Sequence, residues 1–346
     1  MLPIKIPPFR ATRQVRFFRS LKSVANRMHR STVFFYLRLI FGITLLLLLL
    51  TFVDLGEMRR ALASVKPHLI AAGLVGILID SVLMTYRWGS ILWVQRPEIA
   101  FTKLLRFYFI SGFLGNFAPL SNDVIKMYCS AKHTSDLKGA FSSVFLDRII
   151  GMLSLGIIAL IALVALQGVA IAQVGTMAYS CIIVLLILSI GLPLILQTGF
   201  MIRNIRRVLG RSRWGPLMKV AEIYENLLLY QNQRGVMAKV LLVSFANHLI
   251  SIWVFYIIAQ SFPTSVAIGY FFLFIPVAWV LAMVPVTVGG IGVLEGAIVY
   301  LFSNVGMPVE TCVGMVVWQR VMRIAATLPG GVIYTLKGLT AKGLPT

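Results

Sequence analysis

The sequence predicts an all-α, polytopic membrane protein of about eight transmembrane helices, and three observations carry that prediction. Of its 346 residues, 59% are hydrophobic and 12% charged, whereas a soluble domain has about 45–50% apolar and roughly 25% charged residues. Mean hydropathy is +0.89, and the apolar residues gather in runs of about 20, the length that crosses a hydrocarbon core as a helix. The 32 Lys and Arg outnumber the 11 Asp and Glu, giving a formal charge of +21, and most of that excess sits in blocks between the runs.

The runs fall at residues 33–53, 69–93, 141–166, 177–196, 241–262, 266–284, 290–305 and 311–336. The first contains six consecutive leucines, Leu45 to Leu50; the seventh is short and rich in glycine. Segment 1–32 carries eight basic residues and no acid. Segment 199–240 carries Arg203, Arg206, Arg207, Arg211, Arg213, Lys219, Arg234 and Lys239 against Glu222 and Glu225. With eight crossings both segments fall on one side, and the positive-inside rule makes that side cytoplasmic, together with both termini. The chain divides into a basic N-terminal segment (1–32), one integral membrane domain (33–336) and a short tail (337–346). Within the domain, 199–240 reads as a basic amphipathic segment lying on an anionic membrane surface. The first run reads as an uncleaved anchor, because Asp54, Glu57, Arg59 and Arg60 separate it from Ala61-Leu62-Ala63. Orientation accounts for the positive charge, so no nucleic-acid partner is expected. Cys129, Cys181 and Cys312 are far apart, which suggests neither a metal site nor a redox pair.

Two stretches are broken. Residues 104–128 are too apolar for a loop yet contain Gly112, Gly115, Asn116, Pro119 and Asn122; a full crossing here would put the basic segments on opposite sides, so a re-entrant element is expected. Residues 284–296 contain Pro285, Gly289, Gly290, Gly292 and Glu295. Irregular backbone at membrane depth persists only where protein buries it or it lines a polar cavity, and interrupted segments in matching places of two halves point to a transporter's binding site. A weak internal echo supports two halves: 107–119 resembles 271–285, and 144–150, with Arg148, resembles 316–322, with Arg320. The proline-to-arginine spacings differ, 29 residues in one half and 35 in the other. Charges inside apolar helices are costly and mark paired structural or functional sites. They are Asp80 and Arg87, seven residues apart on one helix face; Asp123 and Lys126; Asp147 and Arg148, expected in the first turns of their helix; Glu295; and Arg320 with Arg323. Cations outnumber acids in this set, which suits an anionic guest such as a phosphate that arginine can grip with two bonds.

These blocks resemble the membrane region of the lysylphosphatidylglycerol synthetases, the flippase-like integral membrane family. The matching residues are Arg87-Trp88; Asn116, Pro119 and Ser121-Asn122-Asp123 with Lys126; Leu146-Asp147-Arg148; and Pro285 with Gly289-Gly290-Ile291-Gly292-Val293-Leu294-Glu295-Gly296. The sequence departs from the family pattern in having Ser121-Asn122 for a glycine pair, Lys126 for an arginine and Leu294 where arginine is common. The resemblance implies a helical bundle with re-entrant elements that moves lipid headgroups between leaflets of a bacterial-type plasma membrane. It does not imply aminoacyl transfer, which belongs to a separate soluble domain. The substrate expected is an anionic phospholipid or a polyprenyl-phosphate-linked precursor, bound by Arg87, Asn116, Asp123, Lys126, Asp147, Arg148, Gly289, Gly290, Gly292, Glu295 and Arg320. No enzymatic cofactor is expected, and no Gly-x-x-x-x-Gly-Lys-Ser/Thr motif is present to bind ATP. The alternatives are a membrane-embedded headgroup transferase, with Asp123 or Asp147 as base, and a scaffold that docks a lipid-modifying enzyme or a lipid-linked glycosyltransferase on its basic face.

Overall fold

Pro67 opens the first described helix, α1 (Pro67–Leu92), where its missing N–H costs nothing. A computed structural model describes residues 65–117, 122–166, 226–227, 229–230, 232–262, 264–283 and 292–338, with isolated positions 40, 44, 56 and 183. The expected crossings at 33–53 and 177–196, and the basic segment as far as residue 225, lie outside the described residues. The remaining helices are α2 (Phe101–Phe117), α3 (Asn122–Thr134), α4 (Leu137–Ala165), α5 (Arg234–Ala259), α6 (Ile268–Met283), α7 (Val293–Ser303) and α8 (Val309–Gly338). The described residues contain no strand, and the chain is an all-α membrane protein.

Three described helices are long and apolar enough to cross a bilayer: α1, α4 and α5. Two of them start earlier than hydropathy predicts. The Asp136 side chain caps α4 by accepting the Gly139 N–H at 2.9 Å, so Asp147 and Arg148 stand about three turns into the helix rather than in its first turns. The last basic residues of segment 199–240, Arg234 and Lys239, belong to α5; Lys239 lies 4.7 Å from the centre of the Tyr86 ring.

The expected sixth and seventh crossings are instead the two arms of a hairpin. α7 has 11 residues, about 16 Å of helix against a core of about 30 Å. Phe302 at its end packs on Phe271 and Phe274 near the start of α6, with ring centres 4.7 and 5.2 Å apart. The chain therefore returns to the level at which α6 began. The expected re-entrant segment behaves alike: α2 and α3 pack antiparallel, with His133 beside Phe107 and Lys103 at one end and Gly115 beside Asn122 at the other.

The two hairpins belong to a repeated four-helix unit. α1 and α5 begin and end 167 residues apart (67 and 234, 92 and 259), and α2 and α6 begin at the same interval (101 and 268). Beyond the hairpin tips the interval becomes 172, as between α4 and α8 (137 and 309). The change arises in the chain between α2 and α3, residues 118–121, and between α6 and α7, residues 284–292. Each well-packed pair of described helices has its counterpart: α1–α2 with α5–α6, α2–α3 with α6–α7, α3–α4 with α7–α8, α1–α4 with α5–α8, α2–α8 with α6–α4, and α1–α8 with α5–α4. The pair α1–α5 is its own counterpart and holds the most extensive contact. It runs antiparallel, because Gly73, Gly76, Asp80 and Arg87 meet Ile258, Val254, Asn247 and Ser244 in turn. The pseudo-twofold axis thus passes between α1 and α5 at their mid-lengths, perpendicular to them, and the repeat is inverted.

Candidate functional site

Buried charge in an apolar bundle must be paired or bonded, and here each intramembrane acid has its own solution. On α1, Arg87 reaches α4 and grips Asp147 with two bonds, Nε to Oδ1 at 2.7 Å and Nη2 to Oδ2 at 3.0 Å. Its remaining amine donates to Ser244 Oγ on α5 at 3.1 Å, and Ser244 meets Ser154 Oγ at 2.7 Å. Gly151 makes room for this guanidinium: a Cβ there would sit 3.4 Å from both terminal nitrogens. His248 shares the neighbourhood, with Nε2 3.1 Å from the Gly151 carbonyl oxygen. Arg87 and Asp147 are each only 3% exposed, so this pair clamps α1, α4 and α5 together.

At the tip of the first hairpin, Asp123 in the opening turn of α3 pairs with Lys126 at 3.1 Å and with Arg148 of α4. Lys126 is buried, its ammonium 5.6 Å from the Trp88 ring centre and 5.8 Å from that of Tyr108. The Arg148 side chain keeps 48% of its surface open.

The second hairpin repeats this arrangement. Glu295 in the opening turn of α7 pairs with Arg320 of α8 at 2.5 Å. Its other oxygen accepts the Gly292 N–H at 2.6 Å, and Gly292 holds φ at 83°, the left-handed conformation that glycine adopts without penalty. The two pairs are repeat equivalents: Asp123 and Glu295, like Arg148 and Arg320, stand 172 residues apart. The Arg320 side chain is 36% open. In each pair the arginine is thus the more accessible partner, and the acid has a second bond to fall back on.

Asn116, near the end of α2, donates to Thr327 Oγ1 of α8 at 3.0 Å, beside the second arginine helix rather than in the Asp123 cluster. Gly289 and Gly290 lie outside the described residues. The predicted residues therefore form two equivalent acid–arginine pairs and one central clamp, not a single cluster. Composition and motif missed Ser244, Asn247 and Ser251, which with His248 form a polar stripe on α5, although its helical spacing in an apolar run was a readable signal. An open cleft of about 530 Å³ at the α1–α4 junction is lined by Gln95, Arg96 and Asp136 and contains none of the predicted site residues.

The profile of the lysylphosphatidylglycerol synthase TM region matches residues 35–330. The chain belongs to this family. Two curated relatives resemble it along almost their whole length. A UPF0104 membrane protein of Pyrococcus horikoshii is 24% identical over 322 residues, covering 86% of this chain and 96% of the relative. A UPF0104 membrane protein of Methanothermobacter thermautotrophicus is 22% identical over 318 residues, covering 84% of this chain and 90% of the relative. Of the glycine-rich block singled out in the sequence, Gly292 and Glu295 stand at the start of α7, and the Leu146-Asp147-Arg148 block lies on α4, where Asp147 joins the central clamp and Arg148 pairs with Asp123.

Proposed function

We propose that this protein carries a phosphate-bearing lipid headgroup across the membrane, working as a transporter rather than an enzyme. The observation that carries the reading is the pair of equivalent acid–arginine contacts, Asp123–Arg148 and Glu295–Arg320, at the tips of oppositely directed hairpins. A half-open arginine is suited to a phosphate, which it can hold with parallel bonds. When the phosphate takes the arginine, Asp123 keeps Lys126 and Glu295 keeps the Gly292 N–H, so neither carboxylate is stranded. An inverted repeat presents one such contact toward each leaflet, the geometry that alternating access requires. Arg87, held by Asp147 within the first half, supports the hinge between halves through Ser244, and Asn116 serves as a brace on α8. The termini and segment 199–240 face the cytoplasm of a bacterial-type plasma membrane, by the distribution of Lys and Arg.

The test is translocation of a fluorescent phosphatidylglycerol in proteoliposomes, comparing the wild type with Arg148→Ala and Glu295→Gln at matched reconstitution. Both variants should slow transport about tenfold or more, as expected from losing a charge-assisted hydrogen bond of roughly 1.5–3 kcal/mol. Equal rates in all three proteins would sink the assignment. A lipid species missing from a deletion strain, with no translocation by the purified protein, would favour a headgroup transferase.

A further inference from the structure

The pseudo-twofold axis passes beside a single carboxylate. Asp80 and Asn247 occupy the same position of their helices, 13 residues after Pro67 and Arg234, and they touch: the Asn247 amide donates to Asp80 Oδ1, as does the Ser251 hydroxyl. A residue bonded to its own repeat equivalent lies at the axis, and the axis lies at mid-height of the bundle. Asp80 is 5% exposed, and among the described residues no ion pair closes on it. Both hydrogen bonds come from neutral donors and fall on Oδ1, which leaves Oδ2 as the seat for a proton. With Ser251, Gln319 and Arg323 the carboxylate lines a small cavity of about 10 Å³, near the smallest space that holds one water molecule.

We propose that Asp80 is a proton-binding site that couples headgroup transport to a proton gradient, the proton and the anion moving together. The inference rests on the lipid-transport reading above. The repeat equivalent of Asp80 is an uncharged amide, so the symmetry of the fold does not call for a charge here. A site at the axis of an inverted repeat is the one place that remains fixed while the two halves open in turn. The charged and titratable groups around it are Arg87 of α1, already held by Asp147 of α4; Tyr108 of α2; and Arg323 of α8, while His248 of α5 bonds the Gly151 carbonyl oxygen of α4. Arg323 is the cation that shares its cavity. It stands one turn from Arg320, which holds Glu295 at the second hairpin tip. Protonation converts the carboxylate to a neutral acid and removes the negative charge facing α8. The excess positive charge left on α8 then favours an anionic headgroup at Arg320. By reciprocity the bound anion favours the proton by the same factor.

The decisive experiment uses the full chain in proteoliposomes, with fluorescent phosphatidylglycerol as probe and an imposed pH gradient. Wild-type transport should accelerate several-fold with the gradient and lose that gain on adding a protonophore. Asp80→Asn, which reproduces the chemistry of Asn247, should transport at one rate with or without the gradient, and Asp80→Glu should keep a gradient response. Three results would overturn the proposal: wild-type transport indifferent to the gradient, a normal gradient response in Asp80→Asn, or acceleration by a sodium gradient at clamped pH. An infrared pH titration of the purified protein separates this inference from the transport reading. A titrating carboxyl band lost in Asp80→Asn supports the proton site even where no lipid moves, and identical titrations of the two proteins reject it even where lipid does.

Discussion

Arg87 shows how one side chain can read as a ligand in sequence and as a strut in the fold. Its helix places Asp80 two turns away on the same face, but the guanidinium instead turns to Asp147, 60 residues along the chain. Removing one partner of such a buried pair leaves an uncompensated charge and costs about 3–5 kcal/mol, whereas replacing both partners with apolar residues of similar volume is often neutral. Arg87→Ala should therefore lower thermal stability sharply in detergent or nanodiscs, while the double replacement Arg87→Met with Asp147→Leu should recover most of the loss. A double variant as unstable as the single one would argue that Ser244 and Ser154 need the guanidinium. Lys126 makes the complementary point. Its place between Trp88 and Tyr108 identifies it as the fixed support of Asp123, so Lys126→Met should weaken the Asp123–Arg148 contact without removing an exposed phosphate ligand.

At the scale of elements, the hairpins depend on close approach between helices. Without a hydrophobic drive between helices in lipid, small residues let backbones meet. A Cβ on Gly330 of α8 would stand 2.0 Å from the Phe109 carbonyl oxygen of α2, a backbone atom that cannot rotate away. Gly330→Ala should thus push α2 from α8, loosen the Asn116–Thr327 bond and lower the unfolding temperature. Gly235→Ala is the control, because nothing lies within 4 Å of its added Cβ. An unfolding temperature for Gly330→Ala matching that of the control would contradict the packing described. Both broken stretches were legible as breaks, from proline and glycine in runs otherwise apolar enough to cross. That α6 and α7 form a returning hairpin was not, because hydropathy registers apolar length and is blind to direction. Phe302 against Phe271 and Phe274 settles the direction.

For the whole molecule, the inverted repeat makes a topological prediction. The turns between α3 and α4 and between α7 and α8 are equivalent, and Ser135 and Asn304, both exposed, mark them. In a background with Cys129, Cys181 and Cys312 replaced by alanine, Ser135→Cys and Asn304→Cys should react with a membrane-impermeant maleimide from opposite faces of the membrane. Labelling of both from one face would refute the inversion. The repeat was half visible beforehand, in the likeness of 144–150 to 316–322. What masked it was the unequal proline-to-arginine spacing, most of which comes from the chain between α6 and α7 being longer than that between α2 and α3.

Composition and hydropathy were enough to establish a membrane protein, to place the long helices α1, α4, α5 and α8, and to single out the few charges those helices carry. Those properties follow from local composition and length, since a bilayer admits only helices with internally satisfied backbones or closed barrels. Which charge meets which, that the halves run in opposite directions, and that Asp80 sits bonded to Asn247 at the axis between them emerge only from the folded chain. Those contacts join residues 25 to 171 positions apart. They are set by the packing of helix faces against one another, a property that no window of sequence contains.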